Sequence, residues 1–171
     1  MSVLFIGGTG PTPLGDIWVA VSEFGLVAVE FPSSQDAFAA YLQKQRGVQV
    51  ELNLLMVGAA VEQLREYASG VRHQFDLPID WGVLRPYQQK VLRLTFEIPY
   101  GETRTYKELA MEMGNPHAAR AVGRAQATNP MPIVLPCHRV VGSDGKLHGY
   151  GGGQGLPTKE WLLKMEKAFL A

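Results

Sequence analysis

The chain has 171 residues, 46% of them hydrophobic, which is enough for one or two buried cores without disulfides or metals. Its first residues lack the basic segment of a signal peptide, and no apolar run reaches the ~20 residues that cross a bilayer. We therefore expect a cytoplasmic protein with no membrane partner.

The net charge of the chain is zero, but the charges are distributed unevenly along it. Acidic residues outnumber basic ones before residue 86, and basic residues outnumber acidic ones from there on. A basic second half could face phosphates, although ordinary surface scatter explains it equally well.

Cys137 is the single cysteine of the chain. One chain therefore cannot form a disulfide, a dithiol couple or a zinc site with several cysteines, and we expect neither a metal nor a cofactor. A lone cysteine is most often an inert, buried, small hydrophobic residue. Only its surroundings can favour a chemical role.

The first half has the pattern of a small α+β domain. Strand-like stretches at 3–6, 16–21 and 25–31 predict an antiparallel sheet, and helical spacing follows at 36–45 and 57–68. The segment 76–85 offers few apolar contacts and predicts a linker. We therefore expect an N-terminal domain at 1–80 and a C-terminal domain at 81–171.

The second half is mainly helical. Helical spacing begins at Pro86, and Thr105 with Glu108 has the form of a capping box that opens a short helix. Asn115 and Pro116 predict the start of the next helix. Two short helices joined by a tight turn are typical of a helix-turn-helix motif.

The second helix of this pair is rich in alanine and carries Arg120 and Arg124 four residues apart. Small residues permit close approach to a groove of DNA, and arginines reach phosphates. A tightly packed core helix with two solvated arginines is the alternative interpretation.

An apolar run leads to Cys137, which lies between Pro136 and His138. Cysteine attacks as a thiolate, so a neighbouring base or cation is needed to lower its pKa. His138 is the candidate base, but adjacent residues of a strand point to opposite faces, so we predict a turn here. Glu160, near the start of the last helix, is the carboxylate that we expect to orient the imidazole.

The motif Pro136-Cys137-His138-Arg139-Val140 resembles that of the O6-alkylguanine-DNA alkyltransferase family, also called methylated-DNA–protein-cysteine methyltransferases. The resemblance extends over nearly the whole second half, through these segments: Ile98-Pro99-Tyr100-Gly101-Glu102, Gly114-Asn115-Pro116, Ala119-Arg120-Ala121-Val122-Gly123, Asn129-Pro130, Gly149-Tyr150 and Lys159-Glu160-Trp161-Leu162-Leu163.

The resemblance implies a ribonuclease H-like N-terminal domain and a winged helix-turn-helix-like C-terminal domain that carries the active site. It implies a monomer that binds the minor groove of double-stranded DNA and flips the damaged nucleotide. One alkyl group would pass irreversibly from O6-alkylguanine to Cys137, without a cofactor. Activity on O4-alkylthymine is left open.

The resemblance also implies roles for individual residues. Cys137, His138 and Glu160 would form a relay through water, and Asn129 would brace the turn. Arg120 would enter the duplex in place of the flipped nucleotide. The base pocket would comprise Tyr106, Pro132, Val140, Tyr150, Gly151 and Gly152. The DNA-binding surface would comprise Tyr106, Ala119, Arg120, Ala121, Gly123, Arg124 and Ala127.

Three other classes remain open from the residues alone. A non-catalytic sensor of alkylated DNA would lack the reactive cysteine. A cysteine hydrolase would use Cys137 and His138 on an ester or amide with turnover. A winged-helix regulator would contain Cys137 as an incidental buried thiol.

Overall fold

The computed structural model describes residues 3–168, and the chain divides between Val83 and Leu84 into two compact units. The first unit contains β1 (Val3–Gly8), β2 (Trp18–Ser22), β3 (Gly25–Glu30), α1 (Gln35–Arg46), β4 (Gln49–Leu52) and α2 (Gly58–Ala68). The second contains α3 (Pro86–Phe96), β5 (Arg104–Thr105), α4 (Tyr106–Glu112), α5 (Ala119–Ala127), β6 (Val140–Val141) and α6 (Leu156–Met165). Within residues 3–168, no helix combines the length and apolarity required to span a bilayer.

The first unit is built on a four-stranded sheet of order β3-β2-β1-β4. β1, β2 and β3 pair antiparallel, as their patterns predict. β4, which was not predicted, pairs parallel with β1, so the complete sheet is mixed. Val48, Val50 and Leu52 alternate with polar residues, so the sequence contains a short strand signal for β4, although Val50 is the only residue of this strand that is partly buried.

The segment predicted as a linker contributes to the sheet of the first unit. The Leu26 backbone N–H donates to the Pro78 carbonyl at 2.9 Å, and the Asp80 N–H donates to the Leu26 carbonyl at 3.0 Å. These bonds satisfy backbone groups at the free edge of β3. On one face of the sheet, Phe38 and Leu42 of α1 pack into the core of this unit.

The second unit packs α3, α4 and α5 around one apolar cluster. α4 begins as predicted, with the Thr105 hydroxyl accepting from the Glu108 N–H at 3.0 Å. α5 begins four residues later than Asn115, because the Asn115 side chain accepts from the His117 N–H and holds a turn. β5 and β6 pair parallel, which places the segment that follows Cys137 beside the start of α4.

Candidate active site

Cys137 begins a buried 3-10 turn, Cys137–Arg139, so the predicted turn is confirmed. Asn129 lies beside this turn and bonds to the segment that precedes it. The Asn129 side chain donates to the Leu135 carbonyl at 2.8 Å and accepts from the Met131 N–H at 2.9 Å. The path of the backbone into the cysteine is therefore held by one side-chain amide.

The side chains that follow Cys137 in the turn are both bound by Glu166, the residue after α6. His138 Nε2 lies 2.7 Å from one Glu166 oxygen. Arg139 donates to both oxygens, at 2.8 and 3.0 Å, and also to the Ile98 carbonyl at 2.7 Å. All three side chains are buried, so these bonds are made away from water.

The charges of this cluster determine which nitrogen of His138 carries a proton. Burial alone would raise the pKa of Glu166, but His138 and Arg139 outweigh it and hold that pKa well below its usual range. Burial lowers the pKa of His138, although Glu166 acts in the opposite direction. A neutral imidazole beside an ionised carboxylate donates from Nε2, so Nδ1 is the basic nitrogen.

The prediction that Glu160 orients the imidazole was wrong. Glu160 is exposed, and its carboxylate pairs with Lys164 one helical turn away at 2.9 Å. The buried stripe of α6 contains Lys159, Leu162 and Leu163. Extending this helical spacing reaches position 166 and excludes 160, so the hydrophobic pattern contained the signal that identifies Glu166.

Lys159 is a fully buried cation that sequence analysis did not single out. Its ammonium donates to the carbonyls of Val140 at 2.7 Å, Leu147 at 2.5 Å and Gly149 at 3.2 Å. It also lies 3.4 Å from the Tyr106 hydroxyl. Burial lowers the pKa of Lys159 to about 8, and the neighbouring Cys137 acts to raise it.

The resting thiol is protonated at neutral pH, contrary to the expectation of a lowered pKa. Burial raises the pKa of the Cys137 thiol, and the opposing effects of the Asn129 amide and the Lys159 ammonium are smaller. The thiolate must therefore be formed by proton transfer to a base at the time of reaction. His138, with its basic Nδ1, is the adjacent candidate.

Cys137 opens onto a cavity of about 780 Å³, within the range of roughly 300–1,000 Å³ that is usual for small-molecule sites. The predicted residues that line it are Tyr106, Ala119, Arg120, Gly123, Ala127, Cys137, Tyr150 and Gly151. Others that line it were not predicted: Lys107, Gln126, Gly142, Ser143, Asp144, His148 and Gly149. The site is therefore a cleft between the helix-turn-helix pair and the 142–151 loop.

Several predicted residues lie outside the lining of this cavity. Pro132 and Val140 are buried, and Val140 belongs to the apolar core of the unit, so their assignment to the base pocket stays a prediction. Gly152 is half-buried and also outside the lining. Ala121 and Arg124 are also outside the lining, and the Arg124 side chain is exposed one helical turn after Arg120.

Among the described residues, no group of three or more histidine, cysteine, aspartate or glutamate side chains could hold a metal ion. His148 and Asp144 instead bond to each other at 3.0 Å at the cavity wall. The His148 ring contacts Tyr106 edge-on, with ring centroids 6.0 Å apart. A Cβ atom at Gly142 would overlap the ends of these two side chains, which would have to move to admit it.

Two family models match the chain, one for each unit. The ribonuclease-like domain of 6-O-methylguanine DNA methyltransferase matches residues 7–81, and the DNA binding domain of the same family matches residues 86–168. A methylated-DNA–protein-cysteine methyltransferase of Methanosarcina barkeri is 42% identical over 164 residues, covering 91% of this chain and 93% of that protein. The corresponding protein of Shigella flexneri is 39% identical, with 91% of each chain covered.

Solved structures agree with these matches. The crystal structure of Mycobacterium tuberculosis OGT in complex with DNA has a TM-score of 0.76 at 35% identity, covering 96% of this chain and 92% of that chain. That of Mycobacterium tuberculosis O6-methylguanine methyltransferase has a TM-score of 0.74, also at 35% identity, and covers 98% and 93%. The chain belongs to the family of methylated-DNA–protein-cysteine methyltransferases.

Replacing Glu166 separates its role from that of Glu160. Glu166→Gln leaves the buried Arg139 charge uncompensated, so we expect the free energy of unfolding to fall by about 3 kcal/mol. The rate of alkyl transfer should fall by at least about tenfold, because the imidazole loses its fixed tautomer. Chemical denaturation and single-turnover kinetics measure the two effects.

Glu160→Gln is the matched control, because this exposed carboxylate forms only a surface pair with Lys164. Its unfolding free energy should stay within about 0.5 kcal/mol of the wild type. Equal losses in the two variants would contradict the assignment of Glu166.

Lys159→Met should move the pH profile of Cys137 alkylation to higher pH. The variant removes the cation that lowers the thiol pKa, so the rate at neutral pH should fall by about tenfold for each unit of added shift. Iodoacetamide labelling across a pH series measures the profile. Lys164→Met, on an exposed site of the same helix, should leave the profile unchanged, and an unchanged profile in both would refute the effect.

Proposed function

We propose that this chain repairs DNA by moving an alkyl group from O6 of guanine directly onto the sulfur of Cys137. The observation that carries the proposal is the position of Cys137, which lines an open cavity beside the helix-turn-helix pair. Membership of the methyltransferase family supports the reaction, and the DNA complex of the Mycobacterium tuberculosis relative supports the partner.

The reaction is a displacement at the alkyl carbon. The Cys137 thiol gives its proton to His138 Nδ1, and the resulting thiolate attacks the carbon attached to O6. The sulfur–carbon bond forms as the carbon–oxygen bond breaks, and the electron pair of that bond stays on guanine. A proton returned from the imidazolium neutralises the base, so the net change is a thioether and an unmodified guanine.

Glu166 and Lys159 support the two charged species of this step. The Glu166 carboxylate stabilises the imidazolium that forms when His138 accepts the proton. The buried Lys159 ammonium stabilises the thiolate by charge attraction. Both groups are already in place before the substrate binds, so no reorganisation is required of them.

The transfer is stoichiometric and irreversible. Water does not cleave a thioether, and the chain has no second cysteine that could regenerate the first. Each molecule therefore acts once.

The damaged nucleotide leaves the duplex to reach Cys137. A nucleophile cannot align with the O6–carbon bond of a stacked guanine, so the base must be extruded, at a cost of a few kcal/mol. Arg120 is exposed at the cavity and is the side chain that fills the vacated position in the stack. The small residues Ala119, Gly123 and Ala127 on the same face permit α5 to approach the minor groove.

Arg124 is exposed and outside the cavity lining, so it is suited to a backbone phosphate rather than to the base. The protein would act as a monomer, because one chain contains the reacting cysteine, its base and the cavity. It would act in the cytoplasm, where its DNA substrate is accessible.

Intact-mass measurement tests the proposal. Protein incubated with duplex that contains O6-methylguanine should gain one methyl group on the peptide that contains Cys137, and the DNA should contain normal guanine afterwards. Cys137→Ser should bind the same duplex without transfer, because a serine hydroxyl does not ionise near neutral pH. Absence of the adduct on wild-type protein would support a sensor or regulator, and continued turnover on an ester would support a hydrolase.

A further inference from the structure

Gln88 of α3 binds the C-terminal end of α5. Its side-chain Nε2 donates to the Thr128 hydroxyl oxygen at 2.8 Å and to the Thr128 carbonyl at 3.0 Å. The same nitrogen lies 3.5 Å from the Ala125 carbonyl oxygen. Gln88 is half-buried and outside the cavity lining, and the proposed reaction mechanism assigns no task to it.

The acceptors around Gln88 fix the orientation of its amide. The Thr128 hydroxyl donates to the Arg124 carbonyl at 2.9 Å, so its oxygen remains an acceptor for Gln88. The two carbonyls can only accept. All three partners therefore require a donor, and the NH₂ end of the amide is the end that supplies one.

These bonds hold the last turn of α5 from outside the helix. The last carbonyls of a helix have no partner within the regular bonding pattern, and helix ends fray where nothing else bonds to them. In α5, the Arg124 carbonyl accepts from the Thr128 N–H at 3.1 Å. The Gln126 carbonyl accepts from the Asn129 N–H at 3.2 Å. Gln88 connects this turn to a second helix, so the position of Thr128 does not depend on α5 alone.

Asn129 follows Thr128 directly, and its side chain supports the cysteine. The Asn129 amide bonds to the Leu135 carbonyl and the Met131 N–H, which lie on the segment that enters the turn. Burial raises the pKa of the Cys137 thiol, and the Asn129 side chain is the largest of the effects that oppose this rise. Since one planar peptide bond joins Thr128 to Asn129, a displacement of the first residue moves the second.

We propose that Gln88 is a positioning residue for Cys137, because it holds Thr128 and thereby keeps the Asn129 amide against the backbone that enters the cysteine turn. This role rests on the proposed function, in which Cys137 is the group that reacts. Gln88 lies outside the cavity lining, so it acts through the residues between it and the sulfur. The contacts connect α3 to the end of α5 and from there to the turn.

The pH profile of Cys137 labelling tests this role. Gln88→Met has a similar length but cannot donate to Thr128, so the Asn129 amide should be held less firmly. The midpoint of iodoacetamide labelling should move up by about half a pH unit, which lowers the rate at neutral pH by about threefold. Intact mass, measured over time across a pH series, gives the profile. An unshifted profile would overturn the proposal even in a less stable variant, because Gln88 would then have a structural role only.

Variants of Thr128 test the same contact from its other side. Thr128→Val removes the hydroxyl that accepts from Gln88, so its profile should shift in the same direction. Thr128→Ser keeps the hydroxyl and should retain the wild-type profile. Equal shifts in the two Thr128 variants would contradict the assignment to this hydrogen bond.

A double-mutant cycle tests the route through Asn129. Asn129→Ala removes the amide that opposes the rise of the thiol pKa, so its profile should shift further than that of Gln88→Met. Adding Gln88→Met to Asn129→Ala should produce no further shift, because the side chain through which Gln88 acts is gone. Additive shifts would show another route to the sulfur and would overturn the proposal.

Lys90→Met is the matched control, because Lys90 is an exposed residue of the same helix. It should keep the wild-type profile, and a shift as large as that of Gln88→Met would contradict the assignment to residue 88. Failure of this role is distinct from failure of the proposed function, since iodoacetamide labelling requires no DNA. Wild-type protein that transfers no methyl group from O6-methylguanine would refute the function, whereas normal transfer with an unshifted Gln88→Met profile refutes only the role of Gln88.

Discussion

The carboxylate of Glu166 connects the end of α6 to the turn that contains the reactive sulfur. It binds His138 and Arg139 at the same time, and all three side chains are buried. A buried ion pair of this kind is a weak source of net stability, because removing the charges from water costs about as much as their attraction returns. The Glu166 carboxylate instead positions other groups, because it fixes both the ring of His138 and the path of the Cys137–Arg139 turn. In the proposed mechanism, the proton of Cys137 passes to the imidazole that this arrangement holds.

The cavity is formed by elements that are distant in sequence, and two sets of contacts bring them together. The parallel pair of β5 and β6 places the start of α4 beside the segment after Cys137. Lys159 then bonds to carbonyls on both sides of the 142–146 turn and contacts Tyr106. One ammonium therefore connects α6, the loop and α4, and its charge lies near the sulfur. Lys159 therefore holds the wall of the site and also stabilises the thiolate charge that the proposed reaction creates on Cys137.

The sequence predicted what depends on local rules. The Thr105 cap, the short helix pair and the turn at Cys137 follow from capping, turn chemistry and side-chain direction. It did not predict β4, whose residues are mostly exposed, or the later start of α5, where the Asn115 side chain competes with the helix. The parallel pairing of β4 with β1 is a contact between residues distant in sequence, and the Asn115 side chain competes locally with the helix. Periodicity alone reports neither effect.

The site residues likewise divide into those that local sequence predicts and those that it does not. Cys137, His138 and Asn129 are close in sequence and could be recognised from one segment. Glu160 lies within the family-like segment Lys159–Leu163 and was therefore predicted, whereas Glu166 follows only from the buried face of α6. Lys159 could not have been identified from the sequence, since a lysine in a helix carries no sign that its ammonium is buried against three backbone carbonyls. Such an assignment requires coordinates.

The central claim is that His138 is a neutral imidazole with its proton on Nε2, bound to Glu166, so that Nδ1 is the base for Cys137. Long-range ¹H–¹⁵N correlation NMR of protein labelled with ¹⁵N-histidine reports the protonation state of each ring directly. The account predicts the neutral Nε2–H form of His138 throughout the neutral pH range. A doubly protonated ring, or the Nδ1–H tautomer, in that range would contradict it.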